Sequence, residues 1–152
     1  MISTCLRPCQ PSIRIRSSQP RIAKPFLKDP NIRLEMHNYL GGISRTLGCP
    51  PLIVGGVEDH IHILATMSRT VSQADWIKEL KRASNIWIKP RCPEFRWQGG
   101  YGIFSVGASQ IPTVRDYIAN QEEHHRKGSF QDEYLALLKA HGIEWDDRYV
   151  WD

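Results

Sequence analysis

The sequence predicts an α+β fold, an antiparallel sheet covered by amphipathic helices, and three observations lead to it. Apolar residues recur at helical spacing over residues 30–47, 72–88 and 111–127. Between them lie short runs rich in branched and aromatic residues, 52–57, 59–67, 95–98 and 101–106, each of strand length. Glycine and proline punctuate the boundaries, as at Gly48 and Pro50 and at Gly99-Gly100. A chain of 152 residues can bury one good core and is too short for two typical domains, so a single domain is expected.

Asp29 is placed to cap the first helix, with Pro30 at its first helical position, and Ile32, Met36, Tyr39, Leu40, Ile43 and Leu47 form its stripe. Gly41-Gly42 weakens the middle of that helix and suggests close packing there. Strands 52–57 and 59–67 read as a hairpin. The helix over 72–88 buries Trp76, Ile77, Leu80, Ala83, Trp87 and Ile88, and Ser72 with Asp75 suits its start. Two aromatic strands flank the Gly99-Gly100 turn. A helix over 111–127 follows, capped by Ser109 and with Ile111, Val114 and Ile118 on its buried side, and a last short helix spans 129–141 before Gly142. The acidic, aromatic tail 145–152 is expected to dock on the body of the protein.

This order lacks one strand of a ferredoxin-like βαββαβ unit, the one that precedes the first helix. It must lie within residues 1–28, yet Pro8, Pro11, Pro20 and Pro25 and the scattered arginines make that segment a poor strand.

Chemistry concentrates at two places. His60 and His62 are two apart on a predicted strand and so share one face, while Tyr117 and Gln121 are four apart on a predicted helix and share another. Two imidazoles and one amide oxygen make a divalent-metal site with coordination positions left open for a substrate phosphate, facing a tyrosine nucleophile. Each pair also has an ordinary reading. Two histidines suit the polar face of a half-exposed strand, and a tyrosine beside an apolar stripe suits a partly buried helix position. The adjacent His124 and His125 point about 100° apart on a helix and suit a surface or helix-end role, so they are left outside the metal site.

The net charge of +4 resembles a nucleic-acid signature until it is divided along the chain. Residues 1–28 hold six basic and no acidic residues, which leaves −2 on the remainder. Any nucleic-acid contact on the body must be local, and Lys78, Lys81, Arg82, Arg91 and Arg96 are the candidates, although a solvated helix face explains the first three equally well. Cys5, Cys9, Cys49 and Cys92 show no paired C-x-x-C spacing and are expected to be reduced thiols. There is no membrane-length apolar run and no secretory h-region, so a cytoplasmic protein is expected.

From about residue 25 to residue 152 the chain resembles the single-tyrosine HUH transposases, small enzymes of insertion sequences that move as single-stranded DNA. The resemblance is carried by Gly55-Gly56-Val57-Glu58-Asp59-His60-Ile61-His62, by residues 96–106 (RWQGGYGIFSV), and by residues 117–125 (YIANQEEHH), in that order. It implies that His60 and His62 bind Mg²⁺ or Mn²⁺, that Gln121 completes the site, and that Tyr117 attacks DNA to leave a 5′-phosphotyrosine and a free 3′-hydroxyl. It further implies single-stranded DNA hairpins at the element ends as partners, and a homodimer with a composite active site. The fold it implies is the ferredoxin-like sheet with helices on one face, plus a C-terminal helix and tail.

The amino terminus departs from that family, whose members begin with an apolar strand and a basic turn similar to Ser-Thr-Lys-Asn-Arg. Codons for residues 18–24 can, one frame over, spell Ala-Thr-Lys-Asn-Arg-Glu. Residues 1–24 are therefore expected to be an out-of-frame segment with a damaged first strand, and 25–152 the single domain. Two other functions fit the same sequence: a non-catalytic single-stranded nucleic-acid module stacking bases on Trp97, Tyr101 and Phe104, and a related HUH nickase. An inactive transposase remnant is the consequence if the first strand is lost.

Overall fold

Asp29 and Pro30 start the first helix as their chemistry dictates: the Asp29 carboxylate accepts from the backbone N–H of Asn31 at 2.8 Å, and Pro30 gives up an N–H that would have had no partner. In the computed structural model, which describes residues 27–97, 101–127, 135, 136 and 139 together with the backbone of 10–16, that helix is α1 (Pro30–Thr46). Gly48, at φ +72°, turns the chain out of it. Strands β2 (Pro51–Gly56) and β3 (His60–Ala65) follow as a hairpin, then α2 (Gln73–Ile88), capped by Ser72 Oγ on the N–H of Asp75 at 3.1 Å. Strand β4 (Tyr101–Val106), a short 3₁₀ turn (Ala108–Gln110), α3 (Ile111–Ala119) and α4 (Gln121–Lys127) complete the order.

The strand missing from the sequence pattern is present. Strand β1 (Gln10–Arg16) lies between β3 and β4, and the sheet runs β2-β3-β1-β4 with all pairings antiparallel, which is the βαββαβ order. Two local facts explain why the proline count misled. Ile13 and Ile15 alternate with Ser12, Arg14 and Arg16 at the strand period, and Pro11 precedes the first residue paired with β3, so its missing N–H costs that ladder nothing. The register sets residue 14 opposite His62 and residue 16 opposite His60.

Every residue of β3 is buried, so both faces of the sheet are covered. Ile61, Ile63 and Ala65 pack into the main core with Met36 and Leu40 of α1 and Trp76, Ile77 and Leu80 of α2. On the opposite face, Leu64 packs with Val106 and with Ile118 of α3. The helices expected on one face are α1 and α2; α3 adds a second layer over the alternate residues of β3. Buried hydroxyls tie the helices: the Trp76 indole donates to Ser44 Oγ at 3.1 Å, and the Trp97 indole to Ser84 Oγ at 2.9 Å.

The structure departs from the sequence pattern in two further places. Residues 95–97 form no strand; Phe95 is fully buried and its N–H bonds the carbonyl of Cys92 at 3.0 Å, so this aromatic pair fills core rather than pairing an edge. The single helix expected over 111–127 is two, broken at Asn120. The helix expected over 129–141 lies outside the described residues except for 135, 136 and 139, which are helical, and Cys5, Cys9 and the tail 145–152 lie outside them too. Cys49 and Cys92 are free thiols. Among the described residues no helix is long and apolar enough to cross a membrane.

The two glycines inside α1 differ. A Cβ at Gly41 would touch Pro51 and Val54 at 3.7 Å, ordinary packing distance, whereas one at Gly42 would meet nothing within 4 Å. Gly42→Ala is expected to raise stability by about 0.5–1 kcal/mol in urea unfolding, through reduced backbone freedom of the unfolded chain. A lower unfolding midpoint would contradict this packing.

Candidate active site

The strand period puts His60 and His62 on the face that carries Leu64, and α3 and α4 come down over that face. Both imidazoles are buried, His60 completely and His62 to 3% exposure, so the half-exposed polar face that the sequence also allowed is not what forms. The rings lie edge to face, with centroids 5.0 Å apart. His60 Nδ1 stands 2.6 Å from the Asp59 carboxylate, and its Nε2 stands 3.0 Å from Gln121 Oε1. The ring of Tyr117 meets His62 edge to face at 5.7 Å. All four residues singled out in the sequence therefore converge, in two pairs: His60 with Gln121, His62 with Tyr117.

The break at Asn120 shapes that pairing. On a continuous helix Tyr117 and Gln121 would stack one turn apart along a single stripe. Instead the Asn120 N–H and side-chain amide both bond the carbonyl of Asp116, at 3.0 and 2.8 Å, ending α3, and Gln121 opens α4. The nucleophile candidate and the ligand candidate thus sit on separate helices. Gly55 makes the approach of α3 possible: a Cβ there would fall 2.7 Å from the carbonyl oxygen of Ile118, the residue after Tyr117. Gly56, at φ +147°, would bring a Cβ to 2.3 Å from the carbonyl of His60. The Gly55-Gly56 pair is thus required both by the α3 contact and by the turn into β3.

Asp59 carries a role that the spacing of histidines did not reveal. With its proton on Nδ1, His60 donates to Asp59 and turns the Nε2 lone pair toward Gln121 Oε1, itself an acceptor. The signal in the sequence was a carboxylate directly before the first histidine.

Beside the site, α1, β2 and the α3–α4 junction enclose a cavity of about 250 Å³. Arg33 and His37 of α1 line it, as do Gln121 and Glu122. Arg33 forms an ion pair with Glu122 and donates to the carbonyl of Leu27 at 3.1 Å. Burial, followed by the nearby Arg33 guanidinium, pushes the His37 pKa down to about 4 against a weaker opposing pull from Glu122.

The remaining sequence candidates do not join the site. Phe104 is buried, and Trp97 is half-buried with its ring against Phe95 at 5.0 Å; only Tyr101 of the three aromatics is exposed, with Lys81 over its ring at 5.5 Å. Arg82 pairs with Glu79 at 2.9 Å, and Arg91 pairs with Glu35 while covering the Trp87 ring, so α2 offers a partly neutralised face. Lys78 and Arg96 are exposed. His124 and His125 fall within α4, with side chains outside the description. Among the described residues no three His, Cys, Asp or Glu side chains group to hold a metal; the convergent set is two imidazoles and an amide.

A family model described as "Transposase IS200 like" matches residues 19–121, about two thirds of the chain. No curated protein matches the chain. Among solved structures, it resembles a protein of Deinococcus radiodurans R1 described as a transposase, with TM-score 0.56 and 16% identity over 80% of this chain and 96% of that one. It also resembles a REP-associated tyrosine transposase bound to a REP hairpin, with TM-score 0.59 and 11% identity over 82% of this chain and 73% of that one. At such identities the structures speak for the fold.

Because His37 holds its proton less tightly folded than unfolded, its burial contributes stability in full above pH 6.5, and this is lost as pH falls toward about 4. Arg33 on its own helix and Glu122 on α4 are the charged groups facing it. Between pH 7.5 and 5, urea unfolding of the wild type is expected to lose on the order of 2 kcal/mol relative to His37→Gln. Parallel pH profiles for the two proteins would contradict this.

Proposed function

The chain belongs to the IS200-like transposase family, and from that premise we propose that it cleaves and rejoins single-stranded DNA at insertion-sequence ends through a 5′-phosphotyrosine on Tyr117. The observation that carries this reading is the convergence of Tyr117 and Gln121 on His62 and His60 at the buried face of β3.

The reaction needs only what such a site holds. The Tyr117 phenolate oxygen forms a bond to phosphorus while the bond from phosphorus to the departing 3′-oxygen breaks; the phenol's proton is released and the 3′-oxygen leaves as a hydroxyl. The phosphodiester energy is kept in the phosphotyrosine, so a 3′-hydroxyl can reverse the step on another strand. A bound Mg²⁺ or Mn²⁺ would polarise the scissile phosphate and offset the charge gathering on its oxygens.

The residues fit such a cation. His60 Nε2 and Gln121 Oε1 are two lone-pair atoms 3.0 Å apart, and neighbouring ligands of an octahedral ion at ~2.1 Å stand about 3 Å from each other. His60, His62 and Gln121 would hold it, with Asp59 fixing the tautomer of His60. All three ligands are neutral, which leaves the charge of the cation for the phosphate. Burial excludes competing water, and His62 and the Leu64 cluster hold the Tyr117 ring in place.

The partners proposed are DNA hairpins and a second copy of the chain; the hairpin in the similar REP-associated structure supports the first. Tyr117 meets the His62 of its own chain, and the composite site implied by the family would instead exchange Tyr117 between subunits. A cytoplasmic location is proposed with them. The amino-terminal frame change is a separate proposal about residues 1–24: if neither alternative frame of the gene encodes an apolar strand ending in a Lys-Asn-Arg-like turn, it is wrong.

Incubation with Mn²⁺ and labelled single-stranded DNA from the flanks of its gene is expected to give a denaturant-resistant adduct with wild type and none with Tyr117→Phe. Adduct formation by both proteins would rule out Tyr117 as the nucleophile. Mixing Tyr117→Phe with the double variant His60→Ala/His62→Ala separates the two arrangements: restored cleavage means a composite site, and none means a site within one chain.

A further inference from the structure

Only one end of the Gln121 amide has a partner. Oε1 faces His60, while Nε2 is buried without one. The same holds for Nε2 of His37 on α1, and both residues line the 250 Å³ cavity between α1, β2 and the α3–α4 junction. Buried polar atoms are rarely left unpaired, and these two are complementary: an amide NH₂ can only donate, and an imidazole nitrogen can accept. The cavity has room for the Gln121 side chain to swing, or for a bridging water.

An amide is nearly symmetric in shape and opposite in chemistry at its two ends. Turned one way, Gln121 offers an oxygen to a cation; turned the other, it offers N–H groups that repel it. We propose that α1 positions Gln121 for metal binding: His37 Nε2 accepts from the Gln121 amide, directly or through one water, and so selects the orientation in which Oε1 faces His60. Arg33, four residues earlier on the same face of α1, supports it from the backbone side by binding Glu122, the next residue of α4. With the helix broken at Asn120, this ion pair gives α4 a tie to α1 beside its contacts with α3 and β2. This rests on the reading of Gln121 as a metal ligand.

The test is Mn²⁺ binding by titration calorimetry, with thermal unfolding of each variant alongside. Gln121→Ala and His37→Leu are each expected to weaken Mn²⁺ binding roughly 10–100-fold. His37→Gln, which keeps an acceptor, is expected to recover most of the loss. Unchanged binding in Gln121→Ala overturns the metal reading itself. Weakened binding in Gln121→Ala with wild-type binding in His37→Leu overturns this proposal alone, as does equal weakening by His37→Leu and His37→Gln. Should His37→Leu fail to fold, the exposed Glu122→Ala decides: a loss of roughly 3-fold supports positioning by α1, and wild-type affinity overturns it.

Discussion

The burial of β3 on both faces is the constraint from which the rest of the molecule follows. A strand with alternating Ile and His could rest on one layer of helices and leave its histidines in water. Here α1 and α2 take Ile61, Ile63 and Ala65, while α3 and α4 close over His60, His62 and Leu64. Once covered, the imidazoles need partners, because buried polar groups left unpaired are costly. Asp59 accepts from Nδ1 of His60, Gln121 Oε1 stands at the Nε2 of the same ring, and the edge of Tyr117 meets His62, a set that a bound cation would complete. Stability and chemistry thus make the same demand on the same face.

That demand reaches into the neighbouring strand. Gly55 lies opposite His62 in the hairpin register, and its bare Cα leaves the space that the Ile118 carbonyl occupies. Any side chain there would lift α3, and Tyr117 with it, away from the histidines. The division of α3 from α4 at Asn120 then lets one helix carry the proposed nucleophile and the other the proposed ligand, with Arg33 tying the second to α1.

Much of this was legible in the residues. Asp29, Pro30, Ser72 and Gly48 mark helix ends by local chemistry, and they act where expected. The His-x-His and Tyr-x-x-x-Gln spacings identified the convergent side chains. What escaped depended on contacts far apart in sequence. Strand β1 was obscured by Pro11 and the prolines around it, since a strand inserted between two others gains hydrogen bonds on both sides that no local propensity registers. Phe95 and Trp97 read as strand because aromatic residues suit either a sheet or a core, and tertiary packing chose the core. The break at Asn120 follows from side-chain competition for the Asp116 carbonyl, which periodicity does not see. His37 and Arg33 looked like ordinary helix residues until the fold brought them to Gln121 and Glu122.

The central claim is that two imidazole nitrogens and an amide oxygen share one cation beside Tyr117. Pulsed electron paramagnetic resonance of the Mn²⁺-loaded protein tests it most directly, because coupling to directly bound ¹⁴N counts the imidazoles. Two coupled nitrogens in wild type, one in His60→Ala and one in His62→Ala, is the predicted result. Bound Mn²⁺ with no nitrogen coupling, or coupling unchanged by either substitution, would contradict it.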